Sequence, residues 1–284
     1  MSQHLLNFLA PFAQRKVAAF GLLFLLLVFG SALLAPWIVP FDPLAMDSIA
    51  RLQPPDGTHW FGTDHAGRDL FSRVIYGARM ALVIGIGVVV IALVFGVLLG
   101  LLSAYFPLLG MVLMRIVDVM MGIPALLLAL AFVVILGKGL FNSMVAVGAI
   151  YVTSTARITY GLARKIVAET YIEAITSLGA SHARILWRHV LPNLLSPLMV
   201  QATFIFAFAQ LSAASLDFLG LGLPPDVPSW GNMVAETRRY ITRAPWLLMF
   251  PGAAIILTVF ALNLVGDVLR DRLDPRFKDD LTKW

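Results

Sequence analysis

The 284-residue chain contains no cysteine, and only 13% of its residues are charged. The absence of cysteine excludes disulfides, Cys-ligated zinc, iron–sulfur clusters and thiol nucleophiles. The share of charged residues lies well below the roughly 25% of an average soluble domain. The chain therefore lacks the charged surface that a soluble protein of this length would need. With 60% hydrophobic residues, the composition indicates an integral membrane protein.

The chain also lacks the P-loop pattern G-x-x-x-x-G-K-[ST]. Its nearest approach, Gly137-Lys138-Gly139, has neither the first glycine nor the Ser or Thr that the phosphate site requires. The net charge of +5 is small and the basic residues form no long run, which disfavours nucleic-acid binding. We therefore expect no enzyme, no bound cofactor and no metal site in this chain.

Long apolar runs are abundant. A helix needs about 20 mostly apolar residues to cross a bilayer, and the first run is too long for a cleavable signal peptide. Pro124 is expected to kink the third run. The sequence predicts an all-α integral membrane protein of six transmembrane helices, at 17–39, 80–104, 111–136, 140–156, 193–216 and 245–266.

An even number of spans places both termini on one side of the membrane. Most of the 21 Lys and Arg residues then fall on that side, and after Arg15 and Lys16 none follows the first span until Arg51. The positive-inside rule therefore predicts cytoplasmic termini. The predicted parts are a cytoplasmic N-terminus 1–16, the first span 17–39, an extracytoplasmic segment 40–79, a transmembrane core 80–266 with a cytoplasmic loop 157–192, and a cytoplasmic tail 267–284.

The loop 157–192 is a charged interruption of the apolar chain. Apolar residues recur at steps of three and four over Ile166–Leu178, which predicts an amphipathic helix. Gly179 suits a left-handed helix stop, Ser181 can cap a second short helix, and Pro192 suits the start of the fifth span. A helical knob with exposed apolar residues favours a partner site, although such a segment could also lie on the lipid surface.

The spacing within Tyr171–Asn193, YIEAITSLGASHARILWRHVLPN, helps to decide between a partner site and a segment on the lipid surface. It resembles the EAA loop of ABC-importer permeases, which reads EAA, three residues, Gly, nine residues, I-x-L-P. Ile175 replaces the second Ala of that pattern and His189 replaces its Ile. The resemblance implies a type I ABC-importer permease-like fold whose coupling helices enter a cleft on a separate ATPase. The residues that it assigns to coupling are Glu173, Ala174, Gly179, Ala180, His189, Leu191 and Pro192.

Three more stretches carry a narrower resemblance. Trp60–Arg79, WFGTDHAGRDLFSRVIYGAR, resembles the FGTD-x-x-GRD-x-x-SR-x-x-x-G-x-R stretch of the dipeptide/oligopeptide/nickel permease family, in its C-type subunit. Leu216–Gly231 and Leu273–Phe277 resemble the same family, so the resemblance covers essentially the whole chain. On local chemistry alone, the first stretch is a turn followed by surface charges, and the resemblance suggests only a lid or packing role. Its motif residues are Phe61, Gly62, Thr63, Asp64, Gly67, Arg68, Asp69, Ser72 and Arg73.

Polar residues within the spans are candidates for function. Arg115 and Asp118 lie three residues apart, and we expect a structural ion pair between them rather than a proton relay. Ser196, Thr203 and Gln210 recur every seven residues in the fifth span. They predict either a wall of the translocation pathway or a polar helix-packing face.

Two smaller patterns predict structure. In the second span Ala92, Gly96 and Gly100 recur at steps of four, which favours close helix packing. His59 and His65 lie in the segment 40–79, where we expect a turn or surface role rather than metal binding.

The resemblance implies a permease subunit of an ATP-driven importer in the bacterial cytoplasmic (inner) membrane. Its implied partners are a second homologous permease as a heterodimer, two ABC ATPase subunits that bind ATP-Mg, and an extracytoplasmic binding protein. Di- or oligopeptides are the expected cargo; nickel or another small solute remains open. A rival, the ion-coupled secondary transporter, should show midplane ionisable groups and inverted repeats, neither of which is clear here. An intramembrane peptidase is disfavoured because all five His lie outside the predicted spans.

Overall fold

The computed structural model describes residues 16–273, and within that range it is almost entirely helical. Among these residues a single β-bridge is formed, between Thr63 and Asp69. The helices are α1 (Lys16–Leu33), α2 (Ala35–Ile38), α3 (Leu70–Tyr105), α4 (Pro107–Met121), α5 (Ala125–Leu136), α6 (Leu140–Val167), α7 (Thr170–Ser177), α8 (His182–Arg184), a π-helical turn (Ile185–Val190), α9 (Leu191–Phe218), α10 (Trp230–Thr237) and α11 (Trp246–Leu273).

Four helical stretches in the described range are long and apolar enough to cross a membrane: Lys16–Leu33, Leu70–Tyr105, His182–Phe218 and Trp246–Arg272. The bent pair α4–α5 would make a fifth. Helix α6, which contains the fourth predicted span, is not among them, because polar residues such as Asn142 and Arg157 lower its mean hydropathy. The all-α membrane architecture is confirmed, and the count of six spans stays a prediction.

The third predicted span is broken rather than gently kinked. Helices α4 and α5 meet at 101° across Gly122–Pro124. Proline lacks the N–H of a continuous helix and its ring clashes with the preceding turn, so the position predicted for the kink is right. The size of the bend was not predicted, since it depends on how both halves pack against α6.

The amphipathic helix predicted from Ile166 has a different start. The fourth predicted span does not end at 156, because α6 continues to Val167. The chain then breaks at Ala168 and Glu169 before α7 begins at Thr170. The apolar period runs through this break, so periodicity alone could not locate it.

The packing centre of the fold is the pair α3 and α6, which form the most extensive helix contact of the described chain. Gly96 faces Thr155, where an added Cβ would lie 2.6 Å from the threonine Cβ. Ala92, Gly96 and Gly100 are all buried. The prediction of a close-packing face on this helix is therefore confirmed.

Candidate functional site

The knob formed by residues 170–190 is shaped by the local signals expected in this loop. Gly179 has φ +83°, and the Ala180 N–H donates to the Ile175 carbonyl at 3.1 Å, which closes the end of α7 in the manner of a glycine stop. The Ser181 hydroxyl accepts a hydrogen bond from the Arg184 N–H at 3.4 Å. The helix stop at Gly179 and the cap at Ser181 are thus confirmed as structure.

Apolar side chains fix the knob to the helix bundle. Ile172, Ile185 and Leu186 are buried. Their cluster includes the ends of three long helices, through Leu101, Ala104, Ala163, Leu194 and Leu198. The Tyr105 hydroxyl at the end of α3 also lies 2.8 Å from Nδ1 of His182. Because these contacts join the knob to α3, α6 and α9, a force on the knob would be transmitted to all three helices.

The knob also exposes large apolar residues. Leu178 is 85% exposed, Trp187 64% and Tyr171 44%. Exposed apolar side chains favour an interaction surface. The sequence predicted exposed apolar residues on the knob, with Tyr171 and Leu178 on its apolar face, but it did not identify Trp187. The buried anchor Ile172 lies outside the predicted apolar face, so the sequence pattern did not show which side of α7 packs on the bundle.

The residues predicted for coupling are brought together in and beside the knob. Glu173, Ala174 and Gly179 are exposed, whereas Ala180 and His189 are half-buried. Leu191 and Pro192 begin α9, where the proline occupies the first turn as expected. These positions suit contact with a partner, and the coupling roles themselves stay predictions.

A buried charge cluster joins the segment 40–79 to α10. Nε of Arg68 lies 2.6 Å from Oδ2 of Asp64, and its Nη2 lies 3.0 Å from Oε2 of Glu236. Arg73, with no exposed side-chain surface, lies 3.7 Å from Asp64 and 3.5 Å from Glu236. The expectation of surface charges here is wrong, because α10 covers both arginines. Glu236 was missed, since nothing in its local sequence signals a partner 163 residues away.

The other motif residues in this segment form a tight turn. The hydroxyl of the buried Thr63 donates to the Ala50 carbonyl and accepts from the Gln53 N–H at 2.9 Å. Gly62 and Gly67 have φ of +76° and +78°. The Phe61 ring stacks on Phe250 of α11, with ring centroids 3.9 Å apart. These contacts support the packing role suggested for the motif.

The start of α3 is capped within the same motif. The Asp69 carboxylate accepts from the N–H and the hydroxyl of Ser72, at 2.8 and 2.7 Å. It also contacts His59 Nδ1 at 2.9 Å. On the adjoining exposed turn, hydrogen bonds from the backbone N–H groups of His59 and Thr58 lower the pKa of Asp56. His59 thus has a turn role, as predicted.

His65 belongs to the charge cluster. Together with Asp64 and Glu236 it offers ligand atoms within 4.8 Å of one another. Both carboxylates, however, are already engaged by Arg68 and Arg73. A cation would have to displace two guanidinium groups, so the geometry fits a charge-paired joint between the segment and α10.

The predicted ion pair between Arg115 and Asp118 is wrong. Asp118 pairs instead with Arg157 of α6. Helix α4 packs against α6, which places a cation from another helix nearer to the carboxylate than the one on its own helix. Sequence spacing can register only the intrahelical partner.

The three polar residues of the fifth predicted span lie in α9. Gln210 is buried, and its Nε2 donates to the Ala81 carbonyl of α3 at 3.0 Å. The Thr203 hydroxyl donates to the Val200 carbonyl one turn earlier, at 2.8 Å, and Ser196 is half-buried. For Gln210 the contact favours the packing alternative, and pathway lining by the three residues stays a prediction.

The structure described so far is a bundle of apolar helices with a helical knob at one end. Residues 92–279 match the family described as "Binding-protein-dependent transport system inner membrane component". Residues 7–55 match the family "N-terminal TM domain of oligopeptide transport permease C". The chain belongs to the binding-protein-dependent permease family. It is therefore a multi-pass membrane permease subunit, and the expectation that it is not itself an enzyme is confirmed.

Individual relatives of this chain belong to peptide and glutathione transport systems. The chain is 45% identical over 280 residues to the di/tripeptide transport system permease protein DppC of Pseudomonas aeruginosa (strain UCBPP-PA14), covering 96% of this chain and 92% of the relative. It is 41% identical to the dipeptide transport system permease protein DppC of Alkalihalophilus pseudofirmus, covering 93% and 88%. It is 40% identical to the glutathione transport system permease protein GsiD of Pectobacterium atrosepticum, covering 96% and 91%.

Proposed function

We propose that this permease subunit translocates di- or oligopeptides for an ATP-driven importer. Full-length similarity to permeases of di/tripeptide and dipeptide systems supports that cargo. Selection would rest largely with the binding protein, so the chain's own task is to open a path to either side of the membrane in turn.

The proposed assembly contains a second homologous permease as a heterodimer, two ABC ATPase subunits that bind ATP-Mg, and an extracytoplasmic binding protein. In a bacterial inner membrane, the termini and the knob would lie in the cytoplasm, as the basic residues around the first span favour. The apolar surface of Leu178, Trp187 and Tyr171 would then face the ATPase.

The observation that carries this mechanism is the combination of anchored and exposed residues in the knob. The knob is anchored through Ile172, Ile185 and Leu186 to the ends of α3, α6 and α9, and it also exposes apolar residues to a partner. Closure of the ATPases on ATP would move the knob as a rigid body. The anchored helices would follow, and the pathway would change from one open side to the other.

Glutathione is a second candidate cargo, because the glutathione permease relative aligns over 96% of this chain. It is a small peptide-like anion, so the same pathway could accept it. Nickel, and coupling to an ion gradient instead of ATP, are the further alternatives that an experiment should separate.

The first experiment is a mild-detergent purification of the tagged chain from its native membrane, with mass spectrometry of the copurifying proteins. We expect a second permease and one or two P-loop ATPases. The recovered complex is then reconstituted with its binding protein, and uptake of dipeptide, glutathione and Ni²⁺ is measured with ATP or with an ion gradient alone. A chain recovered alone, with uptake driven only by the gradient, would refute the importer assignment.

A further inference from the structure

A cavity of about 580 Å³ opens at the knob end of the bundle. The end of α3, the helix α4 and the end of α6 form its walls. Tyr105, which closes one wall, is the residue that contacts His182 of the knob. The cavity is therefore separate from both the exposed face of the knob and the charge cluster near α10.

Three arginines converge on this cavity: Arg115 from α4, and Arg157 and Arg164 from α6. Among the described residues, Asp118 is the only carboxylate that lines it, and this carboxylate pairs with Arg157. In the described chain, no carboxylate pairs with Arg115 or Arg164. The cavity thus has an excess of positive charge. The positive-inside rule predicts more basic residues on one side of a membrane, but it does not require three of them to line one cavity.

The ring and hydroxyl of Tyr160 orient one of these cations, the Arg164 guanidinium. The Arg164 Nη1 donates to the Tyr160 hydroxyl at 2.9 Å, and its guanidinium lies 5.7 Å from the Tyr160 ring centroid. A planar guanidinium held in this way presents its remaining N–H donors in a fixed direction, which suits a phosphate oxygen.

The other part of the cavity wall is apolar and leads onto the outside of the bundle. Met111 and Met114 line the cavity. On the same helix α4, Leu108 is 79% exposed, Met111 67% and Val112 60%. A ligand with a phosphate head and hydrocarbon chains would match both parts, since the chains could run along α4.

The cavity also lies at the membrane depth expected for lipid headgroups. Charged side chains on α6 begin at Arg157, and Tyr105 at the end of α3 lines the same cavity. A change from apolar to charged residues is expected at the boundary between hydrocarbon and headgroups. Basic pockets between transmembrane helices at such a boundary bind anionic lipid headgroups.

We propose that this cavity binds one anionic phospholipid, with its phosphate diester held by Arg115, Arg157 and Arg164 and an acyl chain against α4. The site joins α3, α4 and α6 at the end where the knob is anchored. A bound lipid would therefore strengthen the connection between the knob and the bundle. The inference requires only a membrane setting and holds for any cargo.

The test is native mass spectrometry of the purified transporter, titrated separately with phosphatidylglycerol, phosphatidylcholine and inorganic phosphate. The double variant R115Q/R164Q should bind phosphatidylglycerol roughly thirtyfold more weakly, because each basic side chain near a membrane surface contributes a factor of about five. K165Q is the matched control: it removes a neighbouring exposed cation that does not line the cavity, and it should bind like the unmodified protein.

A second variant excludes misfolding as the cause. Asp118→Asn releases Arg157 from its carboxylate, so binding of phosphatidylglycerol should tighten about fivefold. Unchanged affinity in both R115Q/R164Q and D118N would overturn the proposal. Equal binding of phosphatidylcholine would also overturn it, as would a site that inorganic phosphate fills as tightly as the lipid does.

Discussion

At the scale of single residues, Arg73 is the side chain whose loss should cost most. It is fully buried between Asp64 and Glu236. Removing one partner of a buried ion cluster leaves uncompensated charge and typically costs about 3–5 kcal/mol. Arg73→Met should therefore lower the midpoint of thermal unfolding of the detergent-purified protein markedly.

The control for this variant lies about 1.7 turns further along the same helix. Arg79 is exposed, near the Tyr76 ring, and Arg79→Gln should leave the unfolding midpoint almost unchanged. If Arg73→Met unfolded at the same temperature as Arg79→Gln, the charge cluster would contribute no net stability. Arg68 would then neutralise both carboxylates without help.

Gly179 tests the shape of the knob. Its φ of +83° is a conformation that Asn tolerates far better than a β-branched residue. An added Cβ would meet no atom of the described chain within 4 Å, so any effect within this chain comes from the backbone. We expect Gly179→Val to reduce uptake strongly while ATP hydrolysis and membrane insertion persist, and Gly179→Asn to retain most of the uptake.

The exposed Glu173 gives an independent test of the same surface. Glu173→Lys reverses a charge on α7 without disturbing the buried anchor Ile172. We expect it, too, to separate ATP hydrolysis from uptake, measured as the ratio of the two rates in proteoliposomes. Normal ratios in both this variant and Gly179→Val would remove the coupling role from the loop.

At the scale of helices, the close approach of α3 and α6 should determine stability. A Leu side chain at Gly96 would overlap Thr155 and push the helices apart. Overpacking of this kind costs about 1–3 kcal/mol. Gly96→Leu should lower the yield of folded protein and its unfolding midpoint. Gly161→Leu on α6, where an added Cβ meets nothing within 4 Å, should have little effect on either quantity.

What the sequence could predict at this scale depends on the range of the interaction. The stop at Gly179 and the cap at Ser181 act over a few residues, so local rules located both. The Asp118–Arg157 pair and the contact of Arg73 with Glu236 join distant helices, and spacing along one helix carries no information about them. The break between α6 and α7 was missed because an apolar period continues across it.

At the scale of the whole molecule, the number of membrane crossings determines on which side of the membrane the knob lies. Helix α6 is too polar to be recognised as a membrane span by its length and hydropathy. It nevertheless packs along α3, with which it forms the most extensive helix contact of the described chain. Polar side chains are tolerated within a membrane when they face protein. Thr155 and Thr159 of α6 are completely buried. We therefore expect α6 to cross.

A chain without cysteine allows this expectation to be tested directly. Single cysteines at Lys138 and Ser181 lie before and after α6. Two exposed positions serve as references: Thr58 lies in the predicted extracytoplasmic segment 40–79, and Asp226 lies between the fifth and sixth predicted spans, which six crossings place on the same side. In intact spheroplasts, a membrane-impermeant maleimide should label Thr58→Cys, Lys138→Cys and Asp226→Cys. Ser181→Cys should react only after the membrane is opened. Labelling of both Lys138→Cys and Ser181→Cys in intact spheroplasts would mean that α6 does not cross the membrane. The knob would then lie outside, where it could not meet a cytoplasmic ATPase.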